Sequence, residues 1–97
     1  MSVARGHSSR RAAAAAQRAG QYETARRLFA QYVTYEPSDL EALFELTKLH
    51  RRAGALEPLV DLLGELWPRL AGVQRVATRR EFTEGALSLG RSAEAVE

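Results

Sequence analysis

The segment Gly20–Ala25, which reads GQYETA, carries the strongest structural signal in this chain of 97 residues. Its initial glycine suits the left-handed backbone that commonly follows the last turn of a helix. Tyr22, Ala25 and Phe29 recur at intervals of three and four residues, as on one face of an α-helix. Pro37 cannot continue such a helix. The segment therefore predicts a turn followed by an amphipathic helix.

The same pattern recurs along the chain. A shift of 34 residues places Gly20 on Gly54 and Leu28 on Leu62, and a further shift of 36 places Gly54 on Gly90. No segment alternates between apolar and polar residues for long enough to indicate a strand. We therefore expect about two and a half copies of a helical hairpin. The apolar stripes between these glycines are Leu43, Leu46, Leu49 and Ala53, then Leu59, Leu62, Leu63 and Leu66.

Capping residues and prolines set the expected helix boundaries. Ser38 and Asp39 are good N-caps for a helix that begins at residue 40. Pro58 falls in an opening turn, where its missing N–H does no harm, and the pair Trp67-Pro68 should end that helix early. Helices are predicted near residues 8–19, 23–35, 40–53, 57–67, 74–89 and 92–97.

Composition restricts the classes of protein to consider. Hydrophobic residues make up 45% of the chain and charged residues 27%, which is typical of one folded domain. There is no cysteine, which excludes disulfides, thiolate metal sites and cysteine nucleophiles. The run Ala12–Ala16 is too short for a signal peptide or a membrane span, so we expect a cytoplasmic protein. The abundance of alanine and arginine is typical of GC-rich bacterial genomes.

Around residues 18–39 the chain resembles the tetratricopeptide repeat (TPR) family, on the pattern Gly20, Tyr22, Ala25, Phe29 and Pro37. The resemblance implies an all-α fold, a right-handed α-solenoid of antiparallel helical hairpins. In it a small residue at position 25 lets the helices of a hairpin approach, while Tyr22 and Phe29 fill the gap to the next hairpin. The implied domain spans residues 8–97 after a flexible segment 1–7. Its repeats are 8–39, 40–73 and 74–97, the last one incomplete.

The resemblance also implies a shallow concave groove, lined by the first helix of each hairpin, that binds a peptide or a partner domain. We expect this groove to be mildly positive, with Phe44 as its exposed aromatic residue, and to suit an acidic partner. The other interpretation is that these are ordinary solvated side chains of helix faces. The implied partner-binding residues are Arg10, Gln17, Phe44, Lys48, Arg51 and Arg80. The further groove positions are His7, Ala14, Glu41, Ala77, Glu84 and Leu87.

Several other functions are disfavoured. The carboxylate clamp of one branch of the family is absent, because Glu45 and Glu81 occupy two of its positions and would repel a carboxylate. His7 and His50 lack a second ligand one helical turn away, so no metal site is expected. The arginine pairs split between helix faces, which disfavours nucleic acid. No catalytic or cofactor motif occurs, and neither an enzyme nor a cofactor is expected.

We therefore expect a protein–protein interaction module, an adaptor or scaffold. One alternative is that the chain is the N-terminal regulatory part of a larger enzyme or of a transcription or signalling regulator. Another is a structural repeat that associates with itself through the incomplete third copy. A repeat array needs a polar terminal repeat, and none is evident here.

Overall fold

The computed structural model describes the backbone of residues 2–91 and the side chains of residues 9–91. All regular secondary structure in this part of the chain is helical, which confirms the all-α prediction. The chain divides into two compact units, Met1–Gly54 and Ala55–Glu97. The elements are α1 (Ser2–Arg18), α2 (Tyr22–Tyr35), α3 (Leu40–Ala53), α4 (Leu56–Leu66), a 3₁₀ turn (Trp67–Arg69) and α5 (Gly72–Ser88).

The helix boundaries follow the predicted ones closely, except at the N-terminus. The helix α1 begins at Ser2 rather than near residue 8, and its sequence contains no proline that would interrupt it. As predicted, α4 ends at Leu66 because Trp67 and Pro68 lead into the 3₁₀ turn. The helix predicted at 92–97 lies outside the described residues. The predicted flexibility of residues 1–7 stays a prediction.

In the first unit, α2 packs against both α1 and α3. Each helix contributes side chains of a different size to the core. Among the described side chains of α1, residues 9–18, those in the core are alanines, such as Ala13, which is fully buried. The middle helix places Ala25 and Phe29 in the core, and α3 adds leucines such as Leu43 and Leu46. Small side chains on α1 allow a close approach to α2, whereas the leucines of α3 supply most of the apolar area.

The junction between α2 and α3 is fixed by Asp39, the N-cap of α3. Its Oδ1 atom accepts a hydrogen bond from the backbone N–H of Ala42 at 3.1 Å. Its Oδ2 atom accepts a hydrogen bond of 2.6 Å from the Tyr32 hydroxyl of α2. One carboxylate thus caps α3 and also holds the preceding helix. The sequence predicts the first role of Asp39, as an N-cap, but not the second.

The turns after α1 and α5 share one geometry. The backbone N–H of Gln21 donates to the Ala16 carbonyl at 2.8 Å, and that of Arg91 donates to the Ala86 carbonyl at 2.7 Å. Both bonds require a left-handed residue just before the donor, and this residue is Gly20 in one turn and Gly90 in the other, with φ of 79° and 78°. The predicted turn positions are therefore correct in both units.

The described part of the second unit, residues 55–91, contains a pair of helices, α4 and α5, with the 3₁₀ turn between them. Glycines allow the helices to approach closely: a Cβ atom on Gly85 would lie 2.5 Å from Val60 Cγ2, and one on Gly64 would lie 2.9 Å from Phe82 Cε1. The ring of Trp67 lies against two guanidinium groups of α5, an arrangement that favours cation–π attraction. The guanidinium carbons of Arg75 and Arg79 are 5.1 and 4.9 Å from its centroid.

Two expectations about packing are wrong. Ala53, assigned to an apolar stripe, is exposed at the end of α3. Phe29 is buried as expected, but Tyr22 remains 38% exposed. Its ring instead lies under the guanidinium of Arg52, 3.9 Å from centroid to carbon. Tyr22 is the first residue of α2, and the cation–π contact with Arg52 stabilises its exposed ring.

Candidate functional site

A cleft of about 300 Å³ lies in the first unit, with α1 and α3 as its walls. Its floor includes Phe29 of α2, which is only 3% exposed. Small side chains at Ala14 and Ala42 leave the space above that ring open. Because Ala14 and Ala42 are small, the cleft has space for an inserted apolar group, although the ring of Phe29 beneath it is almost fully buried. The lining residues are Arg10, Ala14, Gln17, Arg18, Phe29, Glu41, Ala42 and Glu45.

Arg10 is held at one end of the cleft by two carboxylates. Its Nη1 atom lies 3.3 Å from Asp39 Oδ2, and its Nη2 atom lies 3.5 Å from Glu41 Oε2. The guanidinium carbon is also 6.0 Å from the centroid of the Tyr32 ring. Arg10 therefore joins α1 to the start of α3 and has its positive charge neutralised within the protein.

The titration of Asp39 and Tyr32 reflects this network. Burial opposes ionisation of Asp39, but hydrogen bonds from Tyr32 and from the backbone of Ala42, together with the charge of Arg10, hold its pKa below the ordinary value. The hydrogen bond to Asp39 raises the pKa of Tyr32, and burial acts in the same direction. At neutral pH the aspartate is ionised and the tyrosine keeps its proton.

Gln17 and Lys48 both contact Glu45. The Nε2 atom of Gln17 donates to Glu45 Oε2 at 2.9 Å, which bridges α1 and α3 across the cleft. The Nζ atom of Lys48 lies 3.2 Å from Glu45 Oε1. The hydrogen bond from Gln17 lowers the pKa of Glu45, and Lys48 adds to the effect against the opposing influence of burial. Glu45 is therefore a half-buried, ionised group in the middle of the cleft.

The lining of this cleft is balanced in charge, and the mildly positive charge expected of the wider groove stays a prediction. The lining includes two arginines, Arg10 and Arg18, and two carboxylates, Glu41 and Glu45. The positive charges belong to α1 and the negative charges to α3. The cleft is therefore electrically balanced overall, with walls of opposite sign.

Three predicted partner-binding residues lie elsewhere. Phe44 is half-buried rather than exposed and does not line the cleft. Arg51 is exposed in the last turn of α3. Arg80 belongs to α5 in the second unit, where it borders a shallow depression with Val76 and Thr83. The structure thus brings together Arg10, Gln17 and Lys48 around α3 carboxylates, and their role in partner binding stays a prediction.

Sequence reasoning missed the aromatic floor and the role of Glu45. Phe29 was assigned to the gap between hairpins, and Glu45 was considered only as a residue that would repel a carboxylate. A sequence signal for the negative wall exists, because Glu41 and Glu45 are four residues apart and share a helix face. The role of Gln17 as the residue that bridges to that wall has no such signal, since the contact spans 28 positions.

The described residues contain no group of three or more histidine, cysteine or acidic side chains placed to hold a metal ion. Among the helices of the same residues, none combines the length and the apolar character needed to cross a membrane.

A function for this chain has to be inferred from the cleft and the surfaces around it. Comparison with known proteins returns no matching family model, no matching curated protein and no matching solved structure.

Proposed function

We propose that this chain is a tetratricopeptide-like protein-interaction module whose cleft between α1 and α3 receives a segment of a partner protein. The observation that best supports the proposal is the composition of the cleft. Two helices that would be the first helices of successive hairpins form its walls, and an aromatic ring of the helix between them forms its floor. The groove positions Arg10, Ala14, Gln17 and Glu41, carried over from the family, all lie on it.

The solenoid arrangement is part of the same proposal. Support comes from the first unit, where α2 packs against both α1 and α3 as the second helix of a hairpin would. The common turn geometry at Gly20 and Gly90 supports a repeated structure.

The partner segment should carry charges of both signs and one apolar side chain. A carboxylate would face Arg18 on the α1 wall, since Arg10 is already paired with Asp39 and Glu41, and a basic group would face Glu45 on the α3 wall. An aliphatic or aromatic side chain between them would pack against Ala14 in the cleft. The acidic partner expected from the sequence matches the α1 wall alone.

The test is a selection of peptides from a random displayed library on the whole chain, followed by calorimetric titration of the enriched peptides. Ala14→Trp fills the cleft, since Ala14 lines it, and should weaken binding by about tenfold or more. Ala15→Trp is the matched control, because Ala15 is exposed on the same helix and does not line the cleft. This variant should bind as the native chain does.

Two results would contradict the proposal: selection that enriches no peptide, or peptides that bind the Ala14→Trp variant with unchanged affinity. Phe44→Ala and Arg51→Ala belong in the same titration. Weaker binding by these variants would extend the site beyond the cleft, as the family resemblance implies. Unchanged binding would confine it to the walls of α1 and α3.

A further inference from the structure

The outer face of α5 exposes three large aliphatic side chains. Val73 is 86% exposed, Val76 64% and Leu87 55%. Positions 73, 76, 80, 84 and 87 follow the helical spacing of three and four residues, so they lie on one side of the helix. We call Val73, Val76, Arg80, Glu84 and Leu87 the outer face. The opposite side of α5 packs against α4 through Gly85 and Phe82. The helix therefore has apolar residues on two sides, and a partner would normally cover the exposed side.

The charges of α5 are segregated along its length. Its first half, residues 72–80, carries Arg75, Arg79 and Arg80 and no acidic residue. Its second half, residues 81–88, carries Glu81 and Glu84 and no basic residue. This order of charges does not stabilise the helix dipole of α5, because the first turn lacks a carboxylate and the last turn lacks a cation. A second helix that runs in the opposite direction would, however, match each half with its opposite charge.

We propose that the outer face of α5 binds the outer face of a second copy of this chain, in an antiparallel dimer with twofold symmetry. An isologous contact requires a surface that is complementary to itself. The outer face meets this condition, since reversal of the helix direction brings Arg80 of one copy toward Glu84 of the other, whereas Arg75 and Arg79 lie against Trp67. A parallel pair would instead bring like charges together and is disfavoured.

One register pairs Val76 with Leu87 and brings the charged groups together, while Val73 lies opposite Gly90, beyond the end of the helix. If the twofold axis passes between positions 81 and 82, Val76 lies opposite the partner's Leu87. Arg80 is then one residue from the position opposite the partner's Glu84, within reach of a long side chain. A shallow depression of about 460 Å³, lined by Val76, Arg80, Thr83 and neighbouring residues, lies at this point of the face. It offers space for the partner's Leu87.

The same observations disfavour a nucleic acid on this face. A phosphate backbone would meet Glu84 beside Arg80 and would leave Val76 and Leu87 without an apolar contact. The dimer contact also assigns Arg80 to self-association rather than to peptide binding. It involves only α5, whereas the proposed peptide site lies in the first unit, so either can fail without the other.

The test is sedimentation velocity of the whole chain from about 1 μM to about 1 mM, the range in which small interfaces dissociate. We expect a concentration-dependent equilibrium of monomer and dimer. Arg80→Glu and Glu84→Arg should each raise the dimer dissociation constant by about tenfold or more, because each opposes like charges across the axis. Arg27→Glu is the matched control, as Arg27 is an exposed arginine of α2, and this variant should dimerise normally.

The decisive measurement mixes the two charge variants. The Arg80→Glu chain is complementary to the Glu84→Arg chain at both charged contacts. The mixture should therefore form a heterodimer at concentrations at which each variant alone is mostly monomeric. A native chain that remains monomeric at about 1 mM would overturn the proposal. So would a native dimer that both variants retain, or a mixture that forms no heterodimer. Circular dichroism of each variant confirms that it remains helical.

Discussion

His50 is a buried histidine whose ring nitrogen contacts an arginine. It is 7% exposed, and its Nδ1 atom lies 3.3 Å from Nη1 of Arg26. A guanidinium can only donate hydrogen bonds, so Nδ1 must accept, and the single proton of the neutral ring is on Nε2. Arg26 is held in place by Glu23, with nitrogen–oxygen distances of 2.5 and 3.3 Å. Burial lowers the pKa of His50, as does the charge of Arg26, while Glu23 opposes them.

This arrangement predicts that acid destabilises the fold through His50. A folded-state pKa below the ordinary value of 6.5 means that the unfolded chain binds the proton more tightly. The free energy of unfolding should therefore be highest above pH 6.5 and fall as the pH drops through and below that value. The slope for one proton is limited to about 1.4 kcal/mol per pH unit. Urea unfolding followed between about pH 8 and about pH 5.5 measures this slope.

A substitution at His50 tests this assignment. His50→Gln should remove most of the pH dependence in that window. A pH profile that the His50 substitution does not change would contradict the prediction.

At the scale of the elements, the close packing of α4 and α5 depends on glycine. Alanine normally stabilises a helix interior by about 1 kcal/mol relative to glycine. At position 85, however, the added Cβ would lie 2.5 Å from a methyl group of Val60, which is fully buried. At position 64 it would lie 2.9 Å from the edge of the Phe82 ring, which is only half-buried and can shift.

The two glycines should therefore respond differently to the same change. Gly85→Ala is expected to destabilise the protein by about 1 to 3 kcal/mol, because overpacking exceeds the gain in helix propensity. Gly64→Ala should be close to neutral, since the aromatic ring can adjust. Thermal unfolding of both variants measures the difference. Equal stability of the two variants would mean that Val60 can move away from the added methyl group.

At the scale of the whole molecule, apolar burial carries more of the stability than charge does. The buried apolar residues are mostly alanine and leucine. The ion pairs among the described residues have at least one exposed or partly exposed partner, as in Arg10–Asp39 and Lys48–Glu45. Exposed pairs each contribute about 0 to 1 kcal/mol. The net charge of +2 also leaves little repulsion for salt to screen.

Stability should therefore depend only weakly on salt. An increase in NaCl from about 0.1 to about 1 M shortens the Debye length from about 10 to about 3 Å. We expect the Tm to change by less than about 4 °C, which corresponds to about 1 kcal/mol or less for a domain of this size. Asp39→Ala should lower the Tm more, because it removes a helix cap and leaves the Tyr32 hydroxyl without its partner. Differential scanning calorimetry compares the two effects, and a salt effect larger than that of the substitution would contradict the prediction.

The helices and the cleft differ in how far the chain's own pattern predicts them. The sequence predicts the bounds of α2 and α3 to within one residue, because it carries local signals for them. These signals are the apolar spacing, the N-cap Asp39 and the glycines at positions 20 and 54. The early start of α1 does not follow, because an alanine-rich helix lacks a strong apolar stripe. Arg10 and Gln17 were predicted as site residues, yet the balance of charge around them was not, because their carboxylate partners lie on another helix.

The amino-acid sequence by itself determined that this protein is helical, where its turns lie, and which residues cap its helices, since these depend on interactions between residues a few positions apart. Only the tertiary structure decided that Glu45 lies across from Gln17, that Phe44 is half-buried, and that α5 keeps an apolar face exposed. Such contacts join residues far apart in the chain, and they arise from how whole helices pack rather than from any local pattern.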